Sequence, residues 1–61
     1  MNYSKVVKVL IQNGFKQVSQ KGSHVKFSKD SRKVIVPKHG KKDIPIGTLK
    51  SIEKQSGIKL E

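Results

Sequence analysis

Residues 15–37 decide the fold of this 61-residue chain, and they read FKQVSQKGSHVKFSKDSRKVIVP. Three segments of this stretch, residues 15–20, 23–29 and 33–36, have the composition of β-strands and are separated by short polar runs. Pro37 ends the third strand because proline has no N–H group to donate to a sheet. Strands joined by turns this short pair in antiparallel fashion, so the stretch predicts a three-stranded antiparallel sheet.

The middle strand indicates which face of the sheet is buried. Apolar and polar side chains alternate along residues 23–29, and successive side chains of a strand point to opposite faces. Val25 and Phe27 are therefore expected to face a core. His24 and Lys26 are expected to lie together on the opposite face.

A helix is predicted before the sheet. Asn2 can cap its N-terminus through the side-chain oxygen, and the helical pattern starts at Tyr3. Asn13 and Gly14 end it, with Gly14 suited to the left-handed position that follows a helix. The predicted apolar stripe, which repeats with helical spacing, consists of Tyr3, Val6, Val7, Leu10 and Ile11.

A second helix is predicted over residues 46–55, with Gly57 ending it. Its apolar stripe is Ile46, Leu49 and Ile52. Both helical stripes need cover, and one face of the sheet can cover both. The predicted fold is therefore α+β with the order α-β-β-β-α, both helices on one sheet face, in a single domain spanning residues 1–61.

Composition points to a polyanionic partner. Fourteen Lys and Arg residues against four Asp and Glu give a formal net charge of +10, and thirteen of the fourteen are lysine. Lysine suits point contacts with phosphate better than the reading of bases. The partner indicated is a nucleic acid or an acidic protein, and the alternative is a charge that serves solubility alone. The absence of cysteine and of apolar runs near the roughly 20 residues of a membrane span predicts a cytoplasmic protein with no membrane partner.

The acidic residues narrow the chemistry. They are scattered along the chain at Asp30, Asp43, Glu53 and Glu61. A two-metal nuclease needs converging carboxylates, and the two histidines, His24 and His39, do not complete a zinc site. A domain this short buries only about 60% of its unfolded surface, which leaves no deep pocket for a cofactor. No metal and no cofactor are therefore expected, and a nuclease activity would be metal-independent.

The sharpest local motif is Gly22-Ser23-His24, with Lys21 before it and Lys26 after it. In metal-free RNA cleavage a base takes the proton of the ribose 2′ hydroxyl, which attacks the neighbouring phosphorus, and an acid protonates the leaving 5′ oxygen. A histidine can perform one of these steps near neutral pH. The two lysines would stabilise charge on the phosphorane, while the glycine and serine shape a phosphate site. From spacing alone, an ordinary exposed strand histidine is the alternative.

His39 is the second candidate, in a basic loop over residues 37–45 that also contains Lys41 and Lys42. It can be a second proton-transfer group or a phosphate contact. It can equally be a loop histidine that packs against the protein or lies in solvent, and the sequence leaves these roles open.

Four short segments form a wider pattern. They are NGF at residues 13–15, KGSH at 21–24, VPKH at 36–39 and IPIGTLKSI at 44–52, the last running on to Gly57. In this order and at this spacing they resemble the HicA family of toxin–antitoxin mRNA interferases, over nearly the whole chain.

The resemblance implies a double-stranded-RNA-binding-domain-like fold and ribosome-independent cleavage of mRNA, with His24 as the catalytic histidine. It also implies growth arrest when the protein is unopposed, and a HicB-type antitoxin that covers the active face. The competing hypothesis is an RNA-binding module without chemistry, because a fold does not determine a function. Such a module would tolerate the loss of His24.

Overall fold

A computed structural model describes residues 1–60 of the chain. Its elements are helix α1 (Tyr3–Gln12), strands β1 (Lys16–Lys21), β2 (His24–Lys29) and β3 (Arg32–Pro37), and helix α2 (Ile46–Ser56). The strands lie in the order β1-β2-β3, and both neighbouring pairs are antiparallel. The predicted α-β-β-β-α order and antiparallel sheet are confirmed. The domain predicted for residues 1–61 includes Glu61, which lies outside the described residues.

The core lies between the helices and one face of the sheet. Val25 and Phe27 on β2 are fully buried, and they pair across the strands with Val36 and Val34, which are also fully buried. Cross-strand partners share a face of a sheet, so these four side chains form one apolar layer under the helices. The predicted burial of Val25 and Phe27 is confirmed, and Phe15, at the entry to β1, is buried with them.

Helix α1 begins where its cap was predicted. The Asn2 side-chain oxygen accepts a hydrogen bond from the Lys5 N–H at 3.0 Å, and Gly14 follows the helix with a φ of 90°. The predicted stripe is wrong at one end, since Ile11 is 53% exposed. The stripe is centred on the buried residues Val6 and Leu10. Ile11 lies about 100° further round the helix than Leu10, outside the part that touches the sheet.

Helix α2 buries Leu49, Ile52 and Ser56. Ile46, predicted to belong to its apolar stripe, is 63% exposed, so that prediction is wrong. Ile46 is the first helical residue, and only the helix from Leu49 onward packs on the core. Among residues 1–60, neither helix combines the length and the apolar character that a membrane-spanning helix requires.

The outer edge of β3 is covered by the end of α2. The side-chain oxygen Oε1 of Gln55 accepts a hydrogen bond from the Ile35 N–H at 3.2 Å, and the Arg32 Nη1 donates to the Gln55 carbonyl at 3.2 Å. An uncovered strand edge presents unpaired backbone groups to other chains. Gln55 therefore satisfies one backbone donor of this edge and ties α2 to β3.

Replacing Gly57 with alanine is expected to destabilise the fold by about 1–2 kcal/mol. Gly57 has a φ of 74°, and an added Cβ would lie 3.0 Å from the Arg32 Cζ, displacing the side chain that bonds the Gln55 carbonyl. Urea denaturation followed by circular dichroism measures the change. Gly47→Ala is the control, because Gly47 lies inside α2 with open space around it and alanine favours a helix there. Equal effects of the two substitutions would contradict this account.

Candidate functional site

The sheet has one face that no helix covers, called here the open face. Cross-strand pairing on the side opposite Val25 and Phe27 assigns these residues to it: Lys16, Ser19, Lys21, His24, Lys26, Ser28, Lys33, Ile35 and Pro37. They form three rows across the strands, and the row at one end of the sheet is Lys21, His24 and Pro37. The open face predicted for His24 and Lys26 is therefore present in the structure.

His24 is the first residue of β2 and directly follows the two-residue turn Gly22-Ser23. It pairs with Lys21 on β1 and with Pro37 on β3. Directly opposed residues in an antiparallel pair have Cα atoms about 4.5–5.5 Å apart, so Lys21 is an immediate neighbour. The His24 side chain is exposed, and it has no hydrogen bond to any of residues 1–60. The imidazole is therefore accessible from solvent.

Gly22 makes the tight turn before His24 possible. Its φ is 59°, a left-handed conformation that costs an ordinary residue about 1–2 kcal/mol. A Cβ at this position would meet no atom within 4 Å, so the space above the turn is open. Ser23 beside it is exposed. A phosphate group can thus approach the backbone of this turn, one residue away from the imidazole.

Positive charge dominates the open face. It carries Lys16, Lys21, Lys26 and Lys33, and none of its positions holds an aspartate or glutamate. The one ion pair among residues 1–60 joins the Met1 amine to Asp43, at 3.8 Å and away from this face. The field of the four lysines is therefore uncompensated, which favours a polyanion lying along the sheet.

The loop after β3 begins beside the His24 turn. The Lys38 N–H donates to the Ser23 carbonyl at 2.6 Å, and the Lys42 N–H donates to the His39 carbonyl at 3.3 Å. His39 is exposed and follows Lys38 directly, at the same end of the sheet as His24. The two histidines therefore lie at a common end of the sheet. The role of His39 stays a prediction.

The side chain of Lys38 does not join the open face. Its Nζ lies 5.9 Å from the centroid of the Tyr3 ring, at the start of α1 on the helical side of the sheet. Partial burial raises the pKa of the Tyr3 phenol. Of the loop lysines, Lys41 and Lys42 are exposed, so they remain able to add to the field near His39.

The scattered carboxylates stay apart in the fold. Within residues 1–60, no three His, Asp or Glu side chains come close enough together to form a set of metal ligands. Asp30 lies in the turn between β2 and β3, at the far end of the sheet from His24, and Glu53 lies on α2. The groups nearest His24 that can act on a phosphodiester are hence lysines, backbone N–H groups and the imidazole itself.

Two lysines of the open face, Lys16 and Lys33, were not predicted from the sequence. Lys33 pairs with Ser28, and alternation from Val34 would have located it on this face. Lys16 also pairs with Ser28, but only because Val18 is an extra, unpaired residue that shifts the register of β1. That β-bulge has no clear signal in the sequence.

Comparison with known proteins identifies the family of the chain. The model of a family described as the HicA toxin of bacterial toxin–antitoxin systems matches residues 3–58. A protein of Pseudomonas fluorescens (strain Pf0-1), named probable mRNA interferase HicA, is 39% identical over 59 residues, which cover 97% of this chain and 98% of that protein. The family resemblance of the sequence is thereby confirmed, and the chain belongs to the HicA toxin family of bacterial toxin–antitoxin systems.

Proposed function

We propose that this toxin is a metal-independent RNA endonuclease, an mRNA interferase, whose catalytic residue is His24. The observation that carries the proposal is an exposed imidazole, free of hydrogen-bond partners among residues 1–60, on a sheet face lined with lysine and lacking acids. The printed name of the Pseudomonas relative, a probable mRNA interferase, supports the same activity.

The reaction consistent with this site is an internal transfer of the phosphoryl group. A base removes the proton of the ribose 2′ hydroxyl, and the 2′ oxygen bonds to the adjacent phosphorus. The bond from phosphorus to the 5′ oxygen breaks, and that oxygen receives a proton. The products are a 2′,3′-cyclic phosphate and a 5′ hydroxyl end, with no net change in protons. His24 supplies one of the two proton transfers, contributing roughly 10²–10⁴-fold to the rate.

The residues around His24 would hold the reacting phosphate. Lys21 lies directly across from it, and Lys26 lies two residues along β2 on the same face, about 6.6–6.8 Å away. Gly22 and Ser23 form the adjoining turn, where open space allows the phosphate to reach the backbone. Positive groups aimed at a phosphorane stabilise its developing charge, and this effect is usually large in phosphoryl chemistry.

The second proton-transfer group has three candidates, which are His39, a lysine of the open face and a water molecule. His39 is a candidate because its loop is bonded to the Ser23 carbonyl through Lys38, beside the His24 turn. It would serve either as the second acid or base or as a phosphate contact. A lysine of the open face or a water molecule can take the first of these roles in its place.

The proposed activity is tested with the purified protein, a single-stranded mRNA fragment and EDTA in excess over any divalent metal. Cleavage is expected to continue and to leave 2′,3′-cyclic phosphate and 5′ hydroxyl ends. A 2′-O-methyl group at a cut site should block cleavage there, because the nucleophile is then absent. Loss of activity in EDTA, or cleavage of the methylated site, would exclude this mechanism. RNA binding without any cleavage would leave the non-catalytic binding module as the function.

We propose a HicB-type antitoxin as the protein partner. The family is one of toxin–antitoxin systems, so an antitoxin is expected to neutralise the toxin. The uncompensated lysines of the open face favour an acidic surface as its binding partner. An acidic protein encoded next to this chain should co-purify with it and protect RNA from cleavage. Cleavage undiminished in the complex would contradict the covering of the open face.

A further inference from the structure

A second basic surface lies on the helical side of the molecule, away from His24. It is a shallow groove between the start of β3, the second half of α2 and the segment after that helix, called here the C-terminal groove. Its charged lining consists of Arg32, Lys50, Lys54 and Lys59 with one carboxylate, Glu53. Four positive groups and one negative group give the groove a formal charge of +3.

Arg32 is held in position at the wall of this groove. Its Nη1 donates to the Gln55 carbonyl, and its guanidinium lies against Gly57, where a Cβ would be 3.0 Å from Cζ. Arg32 is the one arginine of the chain, and it is an exposed residue. A guanidinium that is already positioned loses little side-chain entropy when it binds phosphate, and its fork matches two phosphate oxygens.

The charges of the groove are available to a ligand. Lys50, Lys54 and Lys59 are exposed, and none of them is in an ion pair within residues 1–60. The carboxylate of Glu53 is half-buried, and its Oε2 accepts a hydrogen bond from the Leu60 N–H at 2.6 Å. Glu53 thus accepts a backbone hydrogen bond, and its single negative charge only partly offsets the positive charge of the groove.

The groove and His24 lie at opposite ends of the sheet and on opposite faces. His24 pairs with Pro37, whereas Arg32 pairs with Lys29, five residues further along β2. Five residues of strand span about 17 Å. Lys33, next to Arg32 in the chain, lies on the open face at this far end. Basic groups therefore continue from the open face around the β3 edge into the groove.

We propose that the C-terminal groove is a second binding site for the RNA backbone, holding phosphates several nucleotides from the one at His24. This inference rests on the proposed function, since it extends the footprint of the same RNA strand. A phosphate ligand fits the lining better than a protein does, because lysine is depleted at the centre of protein interfaces and aromatic residues are enriched there. Ile58, half-buried, is the apolar side chain of this groove.

The test measures binding of fully 2′-O-methylated single-stranded RNA, which cannot be cleaved. Two fluorescent oligomers are compared, one of about three nucleotides, which is too short to span from His24 to the groove, and one of about twelve, which can contact both sites at once. The groove variant is K50Q/K54Q, and the matched control is K5Q/K8Q, which removes two exposed charges from α1. Circular dichroism and thermal unfolding establish that both variants are folded.

The groove variant is expected to bind the long RNA about tenfold more weakly and the short RNA as the wild type does. Its salt dependence on the long RNA should fall by about 1.4 log units per log unit of salt, from two phosphate contacts at about 0.7 each. The control variant should show a much smaller loss. A groove variant that loses both oligomers equally, or neither, overturns the inference. So does one that keeps both RNAs and loses only an acidic poly-glutamate probe, since the groove would then be a protein site.

The outcome is separate from that of the cleavage experiment. Length-dependent loss of binding in K50Q/K54Q supports the groove even if the protein does not cut RNA. If the wild type cleaves RNA and the groove variant binds it unchanged, the groove is not an RNA site, and the proposed endonuclease activity still stands.

Discussion

Replacing His24 with alanine is expected to lower RNA cleavage by roughly 10²–10⁴-fold while leaving RNA binding nearly unchanged. The side chain is exposed at the first position of β2 and takes no part in the core, so its removal costs the fold little. Phosphate contacts are assigned to Lys21, Lys26 and the Gly22-Ser23 turn, which remain in the variant. The substitution should therefore lower the rate of the chemical step and leave the affinity for RNA nearly unchanged.

Initial cleavage rates of a labelled mRNA fragment, measured in EDTA, give the size of the effect. Fluorescence anisotropy with 2′-O-methyl RNA gives the affinity separately. Gln17→Ala is the matched control, because Gln17 is an exposed sheet residue on the opposite face. The Gln17→Ala protein should cleave RNA at the wild-type rate. A His24→Ala protein that cuts at more than about a tenth of the wild-type rate would remove His24 from the chemistry.

Replacing Phe27 with alanine is expected to destabilise the fold by about 3–5 kcal/mol. Phe27 is fully buried at the centre of the sheet, and removing a buried phenylalanine costs about 3–5 kcal/mol. A 61-residue domain has a total stability of about 3–9 kcal/mol, from roughly 0.05–0.15 kcal/mol per residue. The substitution therefore removes a third or more of the stability, and all of it at the lower end of that range.

Urea denaturation and the dispersion of amide signals in NMR spectra measure this loss. Val18→Ala is the control, since Val18 is 55% exposed at the bulge of β1 and should change the free energy of unfolding by less than about 0.5 kcal/mol. If the free energy of unfolding of Phe27→Ala lies within about 1 kcal/mol of the wild-type value, the assignment of the core is wrong. The two main variants also separate mechanism from folding, because Phe27→Ala should lose binding and cleavage together, whereas His24→Ala should lose cleavage alone.

Local patterns in the sequence predicted much of this protein. Alternation along β2 put His24 and Phe27 on opposite faces, because the pleat of a strand sets side-chain direction residue by residue. Asn2 and Gly14 marked the ends of α1 because their roles depend on backbone groups within a few residues. The family, and with it the interest in His24, was also recognisable from short segments in a particular order.

Features that depend on contacts between distant parts of the chain could be seen only in the tertiary structure. Ile11 and Ile46 belong to helical apolar patterns, yet they are exposed because the position of each helix on the sheet decides which residues are covered. Lys16 reached the open face through the bulge at Val18, whose cause is the pairing of β1 with β2.

The sequence by itself determined the order of elements, the buried face of β2 and the basic character of the molecule, since these follow from local periodicity and composition. The tertiary structure decided which charges meet. It placed Lys16, Lys21, Lys26 and Lys33 on the same sheet face as His24, and it brought Arg32 to Gly57 and the lysines of α2 on the other face. Strand register and helix docking are set by packing across the whole chain, so charges far apart in sequence become one surface only after folding.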